Sequence, residues 1–420
     1  MSRQGLLAVF AGVFAAAFAL AERQDVFVAS RDHPAIAYSK GQTTDRVLDV
    51  NQRIKDGRVR LAFEGASGYL RSTLDALNVP IESQVAVFAQ NSFQGPLIGM
   101  KNPRAVFFND AVAVGYVRGA AVLEVAAHDP RQGEIFYTID QTAADVPQFR
   151  RDDNCLACHL SWTTLGVPGL FVLSTQTVPE DKNAYASGFP TDHRTSFVDR
   201  WGGWWVTGSL GSIRHIGNKA VSTASTPDSV KPEARELASL AGQFDTSGYA
   251  SAHSDVVALM LLEHQAHMTN LITRMGWESR LAAAESAGRP TDLPRVQEAA
   301  TDLVDYLLFV YEAPLPGTVK GASGFSEKFA ALGPHDSHGR SLRQLDLERR
   351  IMRYPCSYMI YADAFNALPG AAKDLVYRKL WQVLSGRDTA ARYARLSAAD
   401  RQAIVEILRD TKKDLPEYFR

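Results

Sequence analysis

Between residues 85 and 139 the chain alternates short β-branched and aromatic runs with turn residues. Residues 85–89, 105–108, 111–117, 121–127 and 134–139 each fit a strand. Asn109-Asp110 and Arg118-Gly119 fall between consecutive runs, where hairpin turns belong. Two helical patterns precede or interrupt them, at 43–55, with Thr44 as its expected cap, and at 68–77. The second half reads differently. Residues 254–275 place Val257, Met260, Leu261, His264, Met268, Leu271 and Ile272 at helical spacing. Further helices are expected at 293–311, at 341–367 with a bend near Pro355, and at 370–384 closed by Gly386. Ser397 and Asp400 fit a capping box opening the last helix, to about 410. The fold class is therefore α+β: a β-rich N-terminal half, an irregular middle and a predominantly helical C-terminal half. The expected divisions are 1–21, 22–141, 142–234 and 235–420.

The irregular segment 142–234 holds Trp162, Trp201, Trp204 and Trp205, four of the six tryptophans. So many large apolar rings argue for order, and a planar apolar ligand would supply surface for them to cover. The same segment holds Cys155-Leu156-Ala157-Cys158-His159. C-x-x-C-H is the signature of covalent haem c attachment. Two thiols three residues apart on a helical turn can add to the two porphyrin vinyl groups, and the adjacent imidazole then ligates the iron. A redox dithiol would normally open a helix in a βαβ unit, but residues 149–154 do not read as a buried strand. A zinc site would need two more ligands, and the remaining cysteine, Cys356, is far downstream. It is expected to be a buried free thiol in an apolar helix.

Residues 1–21 read as a secretory signal, with Arg3, a short apolar stretch and Ala19-Leu20-Ala21 as cleavage site. Haem c is attached on the exported side of a membrane, so the expected location is periplasmic or otherwise exported. No later apolar run is long enough to span a bilayer. The net charge of −1 gives no reason to expect a nucleic-acid partner.

The second axial position decides the chemistry. Met260, His264, His267 and Met268 share one face of their helix and lead the distal candidates, followed by His193 and His215 in the irregular segment. Arg194, Arg200 and Arg214 are possible propionate contacts. The residues 155–162, 192–204 and 353–358 together resemble exported bacterial proteins that carry a cytochrome c domain. That resemblance implies one covalently bound haem and export, without a substrate or a sixth ligand. Electron transfer with a redox partner protein is the first functional expectation. The alternative is a haem enzyme, a peroxidase or small-substrate oxidoreductase, with an open distal face.

Overall fold

The computed structural model describes residues 27, 30–175, 186–220, 231–286 and 289–419. The expected signal segment, 1–21, lies outside the described residues. Seven strands form one antiparallel sheet: β1 (Val85–Val87), β2 (Arg104–Phe108), β3 (Val112–Tyr116), β4 (Val122–Asp129), β5 (Gly133–Asp140), β6 (Arg150–Arg151) and β9 (Trp204–Trp205), in the order β6-β5-β4-β3-β2-β1-β9. The five runs expected from the sequence are β1 to β5. The irregular segment supplies both edge strands, β6 and β9, and a small separate pair, β7 (Val172–Ser174) with β8 (Phe189–Thr191). Asn109 closes the β2–β3 hairpin by accepting from Ala111 N and Val112 N. Gly119, at φ 80°, turns β3 into β4.

Both faces of the sheet are covered, which is why its strands read as nearly continuous apolar runs. Ala105, Phe107, Val112, Val114, Leu123 and Ile135 point to one side. There they pack with Val47, Val50 and Ile54 of α1 (Arg46–Lys55) and Leu70 and Leu74 of α2 (Leu70–Ala76). Val85, Val87 and Phe108 alternate to the other side and join the core of the helical half. Asp45, rather than Thr44, caps α1, accepting from Val47 N and Leu48 N. Thr44 instead donates its N–H to the Asp129 carboxylate.

The helical half is built on α4 (Val256–Glu285), of 30 residues, capped by Asp255 and buried along most of its length. It packs against α5 (Pro294–Leu307), which ends where Phe309 and Tyr311 take positive φ. A short α6 (Phe325–Ala331), not anticipated from the sequence, also packs on α4. The helix expected over 341–367 does not form. Leu347 has φ 59°, and Pro355 has no N–H and biases Tyr354 away from helical backbone. Only a 3-10 turn, Tyr358–Tyr361, and the single-turn α7 (Asp363–Asn366) are helical there. Cys356 is buried and free as expected, but lies in this irregular stretch. The last two helices follow the sequence pattern: α8 (Gly370–Leu384) and α9 (Ala398–Thr411), the latter with the Ser397–Asp400 capping box in place.

Candidate functional site

A cleft with about 1240 Å³ of empty space, counted out to its open mouth, lies between the sheet and α4. Small side chains make the room. Ala113, Gly115 and Ala126 line its floor on neighbouring strands, and Ala266 lines it from α4. Most other lining groups are apolar, among them Val106, Phe136, Leu170, Phe171, Trp204 and Leu262. An apolar cleft with a few convergent polar groups is the usual form of a cofactor or ligand site.

Cys155, Cys158 and His159 all line this cleft. Asp152 opens the local turn by accepting from Asn154 N, and α3 (Leu156–His159) continues it. The thiols are thus three residues apart on one helical turn. Neither is in a disulfide; Cys158 is exposed and Cys155 half-buried. Burial, reinforced by Asp152 and Glu124, pushes the Cys155 thiol up to about 12, so it is protonated.

The His159 ring lies between Phe136 and Phe171, with centroids 4.8 and 5.0 Å away. Its Nδ1 is 2.8 Å from the Gly169 carbonyl oxygen. A carbonyl only accepts, so Nδ1 carries the proton and Nε2 keeps its lone pair. Burial lowers the His159 pKa to about 4, which keeps the ring neutral. The loop returning to Gly169 turns through Leu165 and Gly166, at φ 61° and 74°. Gly169 itself passes so close to α4 that a Cβ there would collide with Asn270 Oδ1. Asn270 Nδ2 in turn donates to Leu170 O at 2.8 Å. The second nitrogen of the histidine is therefore held by a loop that is itself fastened to the longest helix, the outer-shell arrangement typical of a metal-binding imidazole.

These residues fit a haem c: two free thiols at the required spacing, a neutral imidazole with the correct tautomer, and an apolar cleft beside them. Among the described residues no three His, Cys, Asp or Glu side chains gather to hold a bare metal ion. That bears on a protein-only metal centre; a haem iron is already held by its porphyrin and takes one or two axial protein ligands.

None of the six distal candidates reaches the cleft. At 100° per residue, Met260, His264, His267 and Met268 centre on one side of α4, and Leu262 and Ala266, which do line the cleft, centre on the opposite side. Met260 and Met268 are fully buried core side chains. His264 Nε2 bonds Ser357 Oγ at 2.8 Å, and its Nδ1 lies 2.8 Å from His193 Nδ1, with Tyr306 and Phe309 stacked alongside. His267 Nε2 lies 3.2 Å from an Arg194 nitrogen. His215 Nδ1 accepts from Gly217 N and its Nε2 faces Arg235 O. All ten histidines of the chain are described, and only His159 lines the cleft; no methionine among the described residues does so.

The three arginines expected at propionates are engaged elsewhere. Arg200 is fully buried, 3.0 Å from Glu263, and donates to the His193 and Thr195 carbonyls. Arg194 pairs with Asp192, and Arg214 donates to Pro232 O. Among the described arginines only Arg104 lines the cleft, in an ion pair of 2.6 Å with Glu124. Arg104 opens the otherwise apolar β2 and Glu124 interrupts the apolar first part of β4, which is the signal the sequence carried for them. The tryptophans also divide: Trp204 lines the cleft, Trp201 and Trp205 are core residues, and Trp162 packs edge-on against Phe27. Comparison of the chain with protein-family models, with curated proteins and with solved structures gave no match.

Proposed function

We propose that this is an exported mono-haem c protein in which Cys155 and Cys158 hold the haem, His159 is the proximal ligand, and the opposite iron face is left to a small exogenous ligand. The observation that carries the reading is the meeting, in one cleft, of both thiols with an imidazole whose Nδ1 is occupied by the Gly169 carbonyl. Attachment balances without an oxidant: each S–H adds across a vinyl C=C, the sulfur bonding one carbon and the hydrogen the other. Bound there, a haem would supply an iron centre able to exchange electrons and bind small molecules.

The chain's own residues do the rest. Phe136 and Phe171 fix the imidazole plane, Gly169 and Asn270 fix its tautomer, and the apolar walls limit water. Electron transfer with a partner protein was the first expectation from the sequence, and the exposed Cys158 keeps the attachment point near the surface, as such a partner would need. The lining supports the alternative more strongly, because α4 presents Leu262 and Ala266 to the cleft and neither can ligate iron. Absorption and magnetic circular dichroism of the holoprotein test this. The expected result is a high-spin ferrous spectrum that changes on adding carbon monoxide. A low-spin spectrum indifferent to carbon monoxide would overturn the open face and return the protein to the electron carriers.

A further inference from the structure

Strands β4 and β5 carry a buried pair of ionisable side chains directly opposite each other: His128 faces Glu134 across the ladder. Their main-chain N–H groups point outward, His128 N to Ala111 O and Glu134 N to Pro168 O. They are therefore a non-hydrogen-bonded pair, the kind whose side chains come closest. The side chains are 8% and 6% exposed, and His128 Nδ1 lies 3.4 Å from Glu134 Oε1, beyond the usual hydrogen-bond range. His128 Nδ1 and the second carboxylate oxygen, Oε2, are buried and have no hydrogen-bond partner. A carboxylate and an imidazole so placed have room for a proton between them, and a buried charge without partners is costly.

Contacts tie the pair to His159. Glu134 N donates to the Pro168 carbonyl, and the next residue, Gly169, accepts from His159 Nδ1. Phe136, whose ring packs on His159, is two residues on from Glu134 and on the same face of β5, about 7 Å along the strand. Glu134 also lines a side cavity, with about 300 Å³ of empty space, that shares Ala113, Leu170, Leu262 and Ala266 with the cleft. The neighbouring charged groups are engaged elsewhere. Asp129 accepts from Thr44 N, Arg131 N and Gln132 N, Arg280 donates to Arg131 O, and Asp110 pairs with Arg343. The Tyr38 hydroxyl donates to Glu134 O, and α4 lines the side cavity with the uncharged Gln265 and Thr269.

Resting on the haem reading above, but not on which iron face is open, we propose that His128 and Glu134 form a redox-linked proton site, so that the protein moves a proton together with its electron. On reduction one electron enters from a one-electron donor at the iron. One proton enters from water at the pair, completing an O–H or N–H bond, and oxidation returns both. A unit change of charge roughly 10 Å away inside a protein alters proton affinity on the order of tenfold.

The test is a redox titration of the holoprotein between pH 5 and 9, in the parent and in the double variant His128→Gln, Glu134→Gln, which has no group at the pair to protonate. The reduced parent should bind the proton about tenfold more tightly than the oxidised parent, so its potential should fall by about 59 mV in total as pH rises through the range. The double variant should lose that fall. A double variant with the pH dependence of the parent overturns the inference and leaves haem attachment standing. The parent alone supplies a second reading, which holds even where the double variant does not fold. Reduced in weakly buffered solution with an indicator dye, it should take up protons, most strongly at the pH where its potential falls most steeply. A parent that carries haem, has a flat potential from pH 5 to 9 and takes up no proton also overturns the inference. A parent without covalent haem overturns the reading on which the inference rests.

Discussion

The His159 Nδ1 donates to the Gly169 carbonyl oxygen at 2.8 Å, and that single bond decides which imidazole nitrogen keeps a free lone pair. The carbonyl is held in turn by the contact of its loop with Asn270 of α4. The His159 imidazole is thus oriented with the help of Asn270, a residue more than a hundred positions away in sequence.

Asn270→Ala should loosen that hold. It removes the bond to Leu170 O, which is part-buried, at an expected cost of about 1–3 kcal/mol in unfolding free energy. In the holoprotein the iron potential should shift, because the basicity of a ligating imidazole follows its outer hydrogen bond. Urea unfolding and a redox titration measure the two effects. An unchanged potential would show that Gly169 does not depend on Asn270.

Alanine at Met260, His264, His267, Met268, His193 or His215 should leave the spin state unchanged, since none of these side chains lines the cleft. The cost should appear in stability instead. Met260→Ala and Met268→Ala empty fully buried positions and should each lose about 2–5 kcal/mol. His264→Ala removes the buried partner of His193 Nδ1 and one of the partners of Ser357 Oγ. A spin-state change in any of the six, at retained fold, would contradict the position assigned to α4.

Glu263→Ala should be among the most damaging single changes. It strands Arg200 in a fully buried site, at an expected cost of about 3–5 kcal/mol. Thermal unfolding of the variant beside Arg200→Ala and the double variant would measure the coupling. Additive losses would mean that the pair contributes nothing as a pair.

Acid should destabilise the fold through its buried neutral histidines. Burial lowers the pKa of His215 to about 4 and that of His264 to about 3, against 6.5 for a free imidazole. Below pH 6.5 the unfolded chain takes up protons at these sites and the folded chain does not. Stability is therefore full above pH 6.5 and declines as pH falls toward 4, with each pKa unit worth about 1.4 kcal/mol per site. Urea midpoints at pH 7.5, 6.0 and 5.0 read this directly. A flat profile over that range would show that the two rings titrate normally.

The strands were legible because β-branched runs and turn residues mark them wherever both sheet faces are buried; β1 to β5 coincide closely with the runs read from the sequence. The meeting of Cys155, Cys158 and His159 at one cleft was legible because they lie within five consecutive residues. Which other side chains line that cleft was not, and α4 shows why. A helix buried on all sides carries apolar residues all round, so a stripe at 3–4 spacing does not say which face looks into a cleft. Met260, His264, His267 and Met268 do share a face, but it is the face toward α5 and the Ser357 turn. The failed helix over 341–367 has a similar origin: its apolar residues are buried, but Leu347 and Pro355 break the backbone that would have put them in register. Arg104 and Glu124 are 20 positions apart, and only the sheet register brings them together over Gly115.

The central claim, covalent haem at Cys155 and Cys158, is tested most directly by the mass of the denatured polypeptide. The protein should be expressed with a cytochrome c maturation system and extracted with acidified acetone before measurement. The account predicts a polypeptide heavier by one haem that keeps its colour after extraction, with the added mass and the colour lost in the Cys155→Ala, Cys158→Ala double variant. A parent polypeptide of unmodified mass, with all colour in the solvent or none present, would contradict it.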